Sequence, residues 1–152
     1  MMDNVAADWV VAAAAVAALL LAAAQLHANN QLNRESHARQ TWLEYLKIGL
    51  EYPQLGGSQT AMRELRIKKV SDLADGVTVE AERYLWFLTI TLDACESVIT
   101  YLPRKSWEIT VEHQIDFHKP VLQEVWASGD DPWKRYYTRH LDRLVTKVLH
   151  HA

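Results

Sequence analysis

The chain has 152 residues, of which 49% are hydrophobic, and its formal net charge is −3. This charge argues against a protein that holds nucleic acid through its overall field. A single cysteine, Cys95, excludes an internal disulfide bond and fits a reducing cytoplasm. Only five glycines and four prolines are present, which favours a few long elements.

Residues 9–26 contain no charge, no glycine and no proline, and Gln25 is their only polar residue. As a helix they would be about 27 Å long, close to the thickness of the hydrocarbon core of a bilayer. We therefore expect one transmembrane helix. A cleaved signal peptide is a first alternative, although residues 1–8 lack the basic start that such peptides carry. A buried, alanine-rich helix of a soluble bundle is the second.

Basic residues predict the orientation of this segment. None precedes Trp9, whereas Arg34, Arg39 and Lys47 follow the segment's end. The positive-inside rule then puts the N-terminus outside and the rest of the chain in the cytoplasm. The predicted organisation is a transmembrane anchor, residues 1–27, followed by a cytoplasmic helical domain, residues 28–152.

The first helix should continue past the membrane to Leu50, since Gly49 is the only helix breaker before that point. Alanines four residues apart, such as Ala14, Ala18 and Ala22, would let neighbouring helices approach closely. A polar row with the same spacing follows. In a monomer this row is a solvated neck, whereas in a parallel ring of helices it would line a polar lumen. Its members are Gln25, Asn29, Asn33 and His37.

Further helices are expected after a break over residues 51–60, and residues 70–76 are expected to be a loop. Pro103 should end one helix, Pro120 should kink or end another, and Asp131 with Pro132 should start the last. No stretch alternates with period two for long enough to indicate a sheet, so the predicted fold class is all-α: one N-terminal transmembrane helix continuing into a cytoplasmic helical bundle. The predicted segments after the first helix are residues 58–69, 78–102, 105–119, 121–127 and 132–150.

Apolar residues three and four apart predict the buried face of each helix. The longest of the later helices is apolar on its flanks as well, so it should be the centre of a bundle or be shared with another subunit. On the first helix the predicted stripe is Trp42, Leu43, Leu46 and Leu50. On the helix over residues 78–102 it is Leu85, Leu88, Leu92, Cys95, Ile99 and Leu102. On the last helix it is Trp133, Tyr137, Leu141, Leu144 and Val148.

Arg135 and His140, within the sequence RYYTRH, have the R-x4-H spacing that is the short signature of HEPN-type ribonucleases. Such a pair would bring a phosphate-binding cation and a general acid–base to one scissile phosphate, usually across a dimer. The alternative is a packed histidine beside the apolar stripe of the last helix.

Basic residues four apart also form a row on the predicted last helix. Such a row could hold a phosphate backbone, a nucleotide or anionic lipid headgroups. The alternative is a solvated face whose charges pair with Asp142 or with acids of a neighbouring helix. The row consists of Arg135, Arg139, Arg143 and Lys147.

Four potential metal ligands lie close together in sequence, but carboxylate-type sites in helical bundles need Glu-x-x-His motifs on facing helices. No second motif is present, and we expect neither a metal nor a cofactor. Cys95 lies in an apolar seam, which favours a core position over a nucleophile. The four ligands are Glu112, His113, Asp116 and His118.

One N-terminal span, a small helical domain and an R-x4-H pair together resemble the small membrane accessory proteins found beside type VI CRISPR systems. The layout is also similar to other one-span helical proteins of bacterial phage-defence islands. The resemblance implies an oligomeric assembly in the bacterial inner membrane, a pore that depolarises the membrane when a partner nuclease is triggered. Only Arg135 and His140 match the motif, and Tyr136 stands where active HEPN ribonucleases usually carry a polar residue.

The leading hypothesis is therefore a non-enzymatic, oligomeric, single-span protein that acts at the membrane as a pore-like antiviral-defence effector. One alternative is a membrane-tethered HEPN-like ribonuclease that uses Arg135 and His140. Another is an anchored adaptor that binds a nucleotide or a protein through the basic row. Expected partners are the lipid bilayer, further copies of the chain, and a nuclease or nucleotide signal as the trigger. Nucleic-acid binding is not expected from the charge, but the basic row leaves it open.

Overall fold

The computed structural model describes residues 3–102, 105–126 and 133–150. Within these ranges the chain is all-α, with one long apolar N-terminal helix followed by a helical bundle, which confirms the predicted fold class. Short 3₁₀ segments, Pro53–Leu55 and Trp133–Tyr136, lie ahead of the second and the last helix. The helices are α1 (Asp3–Glu51), α2 (Ser58–Glu64), α3 (Val70–Ala74), α4 (Val79–Tyr101), α5 (Lys105–Phe117), α6 (Lys119–Trp126) and α7 (Arg139–His150).

The chain divides into two compact units, Met1–Ser36 and His37–Ala152. In the first unit the side chains from Trp9 to Arg34 are all exposed. The second unit has a continuous hydrophobic core to which α1, α4, α5, α6 and α7 all contribute buried residues. The predicted anchor, residues 1–27, lies within the first unit.

The central helix of the second unit is α4, as its sequence predicts. Thr78 caps it, because the Thr78 Oγ1 accepts a hydrogen bond from the backbone N–H of Ala81 at 3.1 Å. The predicted apolar seam faces the core: Leu85 is half-buried and the other members are buried, Cys95 among them. Burial also raises the pKa of the Cys95 thiol, which leaves it a core residue rather than a nucleophile.

Three predicted boundaries are wrong. The second helix, predicted over residues 58–69, ends at Glu64, and Arg66 just after it has a left-handed φ of 57°. Residues 70–76 are not simply a loop, because Val70–Ala74 forms α3 and buries Leu73 beside α4 and α6. The last helix begins at Arg139, because Glu96 of α4 accepts hydrogen bonds from the backbone N–H and the hydroxyl of Thr138, both at 3.2 Å. These bonds hold Thr138 as the residue ahead of α7. The predicted start at Asp131 and Pro132 lies outside the described residues, as does the predicted stop at Pro103.

The stripe predicted for α1 is correct at Trp42 and wrong at its three leucines. Leu43, Leu46 and Leu50 are 64%, 40% and 83% exposed. The helix instead turns Trp42 and Tyr45 into the core. Trp42 meets Trp107 of α5 edge-on at 5.5 Å, and Tyr45 lies 5.8 Å from Phe87 of α4, measured between ring centroids. Aromatic packing thus decides which face of α1 is buried, and the leucines stay outside.

One buried imidazole stands out at the junction of α5 and α6. The His118 side chain is fully buried, and its Nδ1 is hydrogen-bonded to the Tyr84 hydroxyl at 2.8 Å. Its Nε2 has no hydrogen-bond partner among the described residues. Burial lowers the pKa of His118 to about 4, because an apolar environment disfavours the charged imidazolium.

Candidate functional site

Within the part of the chain that the structure describes, one helix, α1, is long and apolar enough to cross a membrane, and its candidate span starts at Trp9. Its most apolar window has no side chain buried inside the molecule. Alanine and leucine are strong helix formers, so this run holds a helical backbone without help from packing. Its exposed apolar surface needs a covering of lipid or of protein.

The four residues of the predicted polar row all belong to α1. Gln25, Asn29 and Asn33 belong to the first unit, and His37 begins the second. All four side chains are exposed, as are Ala14, Ala18 and Ala22 earlier in the helix. Residues four apart are separated by about 40° around a helix, so Gln25, Asn29 and Asn33 share one side of it.

The two residues of the R-x4-H motif lie in different elements. Arg135 is exposed in the second 3₁₀ segment, and His140 is the second residue of α7. No hydrogen bond or ion pair joins them among the described residues. His140 instead places its Nε2 3.3 Å from a carboxylate oxygen of Glu108 on α5. A HEPN-type site usually pairs the motifs of two chains, so the ribonuclease alternative stays a prediction.

Glu108 is a partner of the motif that sequence reasoning missed. One helical turn further along α5, Glu112 accepts a hydrogen bond from Lys147 of α7 at 2.5 Å. The two acids are four residues apart and the two bases seven apart, so both spacings follow one helix face. Acidic residues along one face of α5 and basic residues along one face of α7 are the sequence signal for this contact.

The predicted basic row is divided by the structure. Lys147 is paired with Glu112, and Arg135 lies ahead of α7 rather than on it. Arg135, Arg139 and Arg143 are exposed, and no carboxylate lies within ion-pair distance of them in the described residues. Asp142 is engaged elsewhere, because it accepts a hydrogen bond from the Trp126 indole at 2.9 Å. Anion binding by the remaining arginines stays a prediction.

The four potential metal ligands are not brought together. Glu112 is paired with Lys147, and His118 is buried beside Tyr84. His113 and Asp116 are exposed on α5. Among the described residues no group of three or more such side chains is placed to hold a metal ion.

A groove of about 480 Å³ opens between the end of α1, the first 3₁₀ segment and α4. Its floor is apolar, formed in part by Ile48, Phe87 and Ile90. Trp86 also lines it and is 65% exposed. The sequence offered a signal for this groove, because Trp86 and Ile90 make the flank of α4 apolar as well as its seam.

Comparison with protein-family models, with curated proteins and with solved structures returns no match to this chain.

Proposed function

We propose that the chain is a single-span protein of the bacterial inner membrane that assembles with copies of itself into a pore-like defence effector. In this proposal the N-terminus is outside and the helical bundle is cytoplasmic. The observation that carries the proposal is the long, uncovered apolar segment of α1, continued directly by an exposed polar row. The defence role is supported by the resemblance in layout alone.

Assembly gives each surface of the first unit a suitable partner. Membrane helices associate through small residues, and Ala14, Ala18 and Ala22 offer such a surface. Polar side chains at membrane depth are costly when they face lipid and acceptable when they line a water-filled cavity. Gln25 and Asn29 lie where the apolar segment ends, so a parallel ring would give them a hydrated lumen.

Conductance tests this function. Full-length protein reconstituted in a planar bilayer should carry ionic current, and the double variant Asn29→Leu/Asn33→Leu should lower the single-channel conductance several-fold by making the lumen apolar. The matched control is Gln31→Leu. Gln31 is also exposed on the same helix but lies on the opposite side, and its side-chain amide donates a hydrogen bond to Glu35 at 3.4 Å. The control should conduct like the wild type.

Absence of current from the reconstituted wild type would contradict a pore. Equal loss of current in both variants would show that the row is not the lumen, because Gln31 then matters as much as Asn29 and Asn33.

A further inference from the structure

Three leucines form an uncovered stripe near the C-terminal end of α1. Leu43, Leu46 and Leu50 are spaced three and four residues apart, and all are exposed. They alternate with Glu44 and Lys47, so this part of the helix is too charged to lie in the hydrocarbon core. Lipid tails therefore do not explain the stripe, and no other described residue covers it.

The groove beside α4 lies on the other flank of the same helix. Each residue advances an α-helix by about 100°, which puts Ile48 roughly 170° from the mean direction of the three leucines. Ile48 lines the groove together with Tyr52, Trp86 and Ile90. The second unit thus carries a convex apolar ridge on one side of α1 and a concave apolar groove on the opposite side.

We propose that the leucine stripe of one copy packs into the groove beside α4 of the next copy. A ridge and a groove on opposite flanks make a head-to-tail contact, which generates a ring when its rotation closes. An apolar helix face with this spacing is what a hydrophobic groove receives in helix-in-groove recognition. The interface rests on the proposed function, since anchoring in one membrane keeps the copies parallel and raises their effective concentration.

Charge favours a second copy as the occupant. Glu44 and Lys47 flank the stripe, and Glu80 and Arg83 stand on the rim of the groove. The stripe and the groove therefore each carry one acidic and one basic residue, which can pair across the contact. Lys47, Glu80 and Arg83 form no ion pair with a described residue of their own chain, so each is available to a neighbour.

Site-directed cross-linking tests this interface. In a Cys95→Ala background, Leu46→Cys and Trp86→Cys are made in separately tagged full-length chains, which are then reconstituted together and oxidised. Both positions are exposed, so neither change should disturb the core. We expect the mixed disulfide to form at least tenfold more than either self-paired product. The matched control replaces Trp86→Cys by Thr100→Cys, which is exposed on α4 but does not line the groove.

Predominant pairing of Leu46→Cys with itself would overturn the proposal, because it indicates a two-fold contact between stripes. Equal cross-linking to position 100 would overturn it as well. The native mass of the same samples distinguishes failure of the proposed function from failure of this interface alone. A monomer would sink the proposed function, whereas an oligomer that lacks the mixed disulfide would sink only this interface.

Discussion

Trp126→Ala is expected to lower the free energy of unfolding of the helical bundle by about 3–5 kcal/mol. Trp126 is only 2% exposed, and its ring stacks on Tyr137 with 5.9 Å between centroids. Its indole N–H donates the hydrogen bond to Asp142. Truncation would remove a large buried side chain, open a cavity between α6 and α7 and leave the Asp142 carboxylate without its donor.

The matched control is Trp86→Ala, which removes the same side chain from the exposed groove. We expect this change to cost about 1 kcal/mol or less, because Trp86 leaves little buried surface behind. Denaturant unfolding of the full-length chain in detergent, followed by near-UV circular dichroism, measures both values. The order of the two effects should be reversed for self-association: Trp86→Ala should weaken the assembly more than Trp126→Ala does. Similar losses of stability for both would contradict the packing described for α6 and α7.

Stability is expected to fall by about 3 kcal/mol between neutral pH and pH 4 because of His118. The folded chain lowers the pKa of this imidazole from its ordinary 6.5 to about 4. Between these two values the unfolded chain binds a proton that the folded chain does not, so acid favours unfolding. The stabilising contribution is complete above pH 6.5 and is lost as the pH falls toward 4. Denaturant midpoints measured at half-unit steps across this window report the loss.

A double variant, Tyr84→Phe/His118→Leu, is the control for this pH dependence. It removes both partners of the buried hydrogen bond, so no polar group is left orphaned, and the shape of the site is roughly kept. The slope of stability against pH between 4 and 6.5 should flatten in this variant. Persistence of the full wild-type slope would assign the acid sensitivity to other groups.

Features encoded in neighbouring residues could be predicted from the sequence. The apolar run of α1 predicts a helix long enough to span a membrane. Thr78 predicts the start of α4, and the apolar residues three and four apart after it predict its buried face. These features depend on local chemistry, namely hydrogen bonding at a helix end and the periodicity of apolar side chains. Local rules therefore gave the fold class and the central helix.

Features that depend on distant partners could not be predicted. Leu46 and Trp42 both suit a buried stripe, and only the packing of Trp42 against Trp107 decides between the faces. The start of α7 is likewise fixed by Glu96, which lies 42 residues earlier in the chain than Thr138. Glu108 gains its place beside His140 only when α5 and α7 pack. In each instance tertiary contacts override a local pattern that fits more than one structure.

The measurement that tests self-assembly most directly is the native mass of the full-length protein in nanodiscs, determined by mass photometry. The single chain has a mass of 17.4 kDa. We expect an oligomer of several chains that closes into a ring, because only a head-to-tail contact whose rotation closes can enclose a shared lumen. A monomer would contradict assembly and leave α1 as a plain tether. A dimer would also contradict the ring and would direct attention to a paired Arg135 and His140 site.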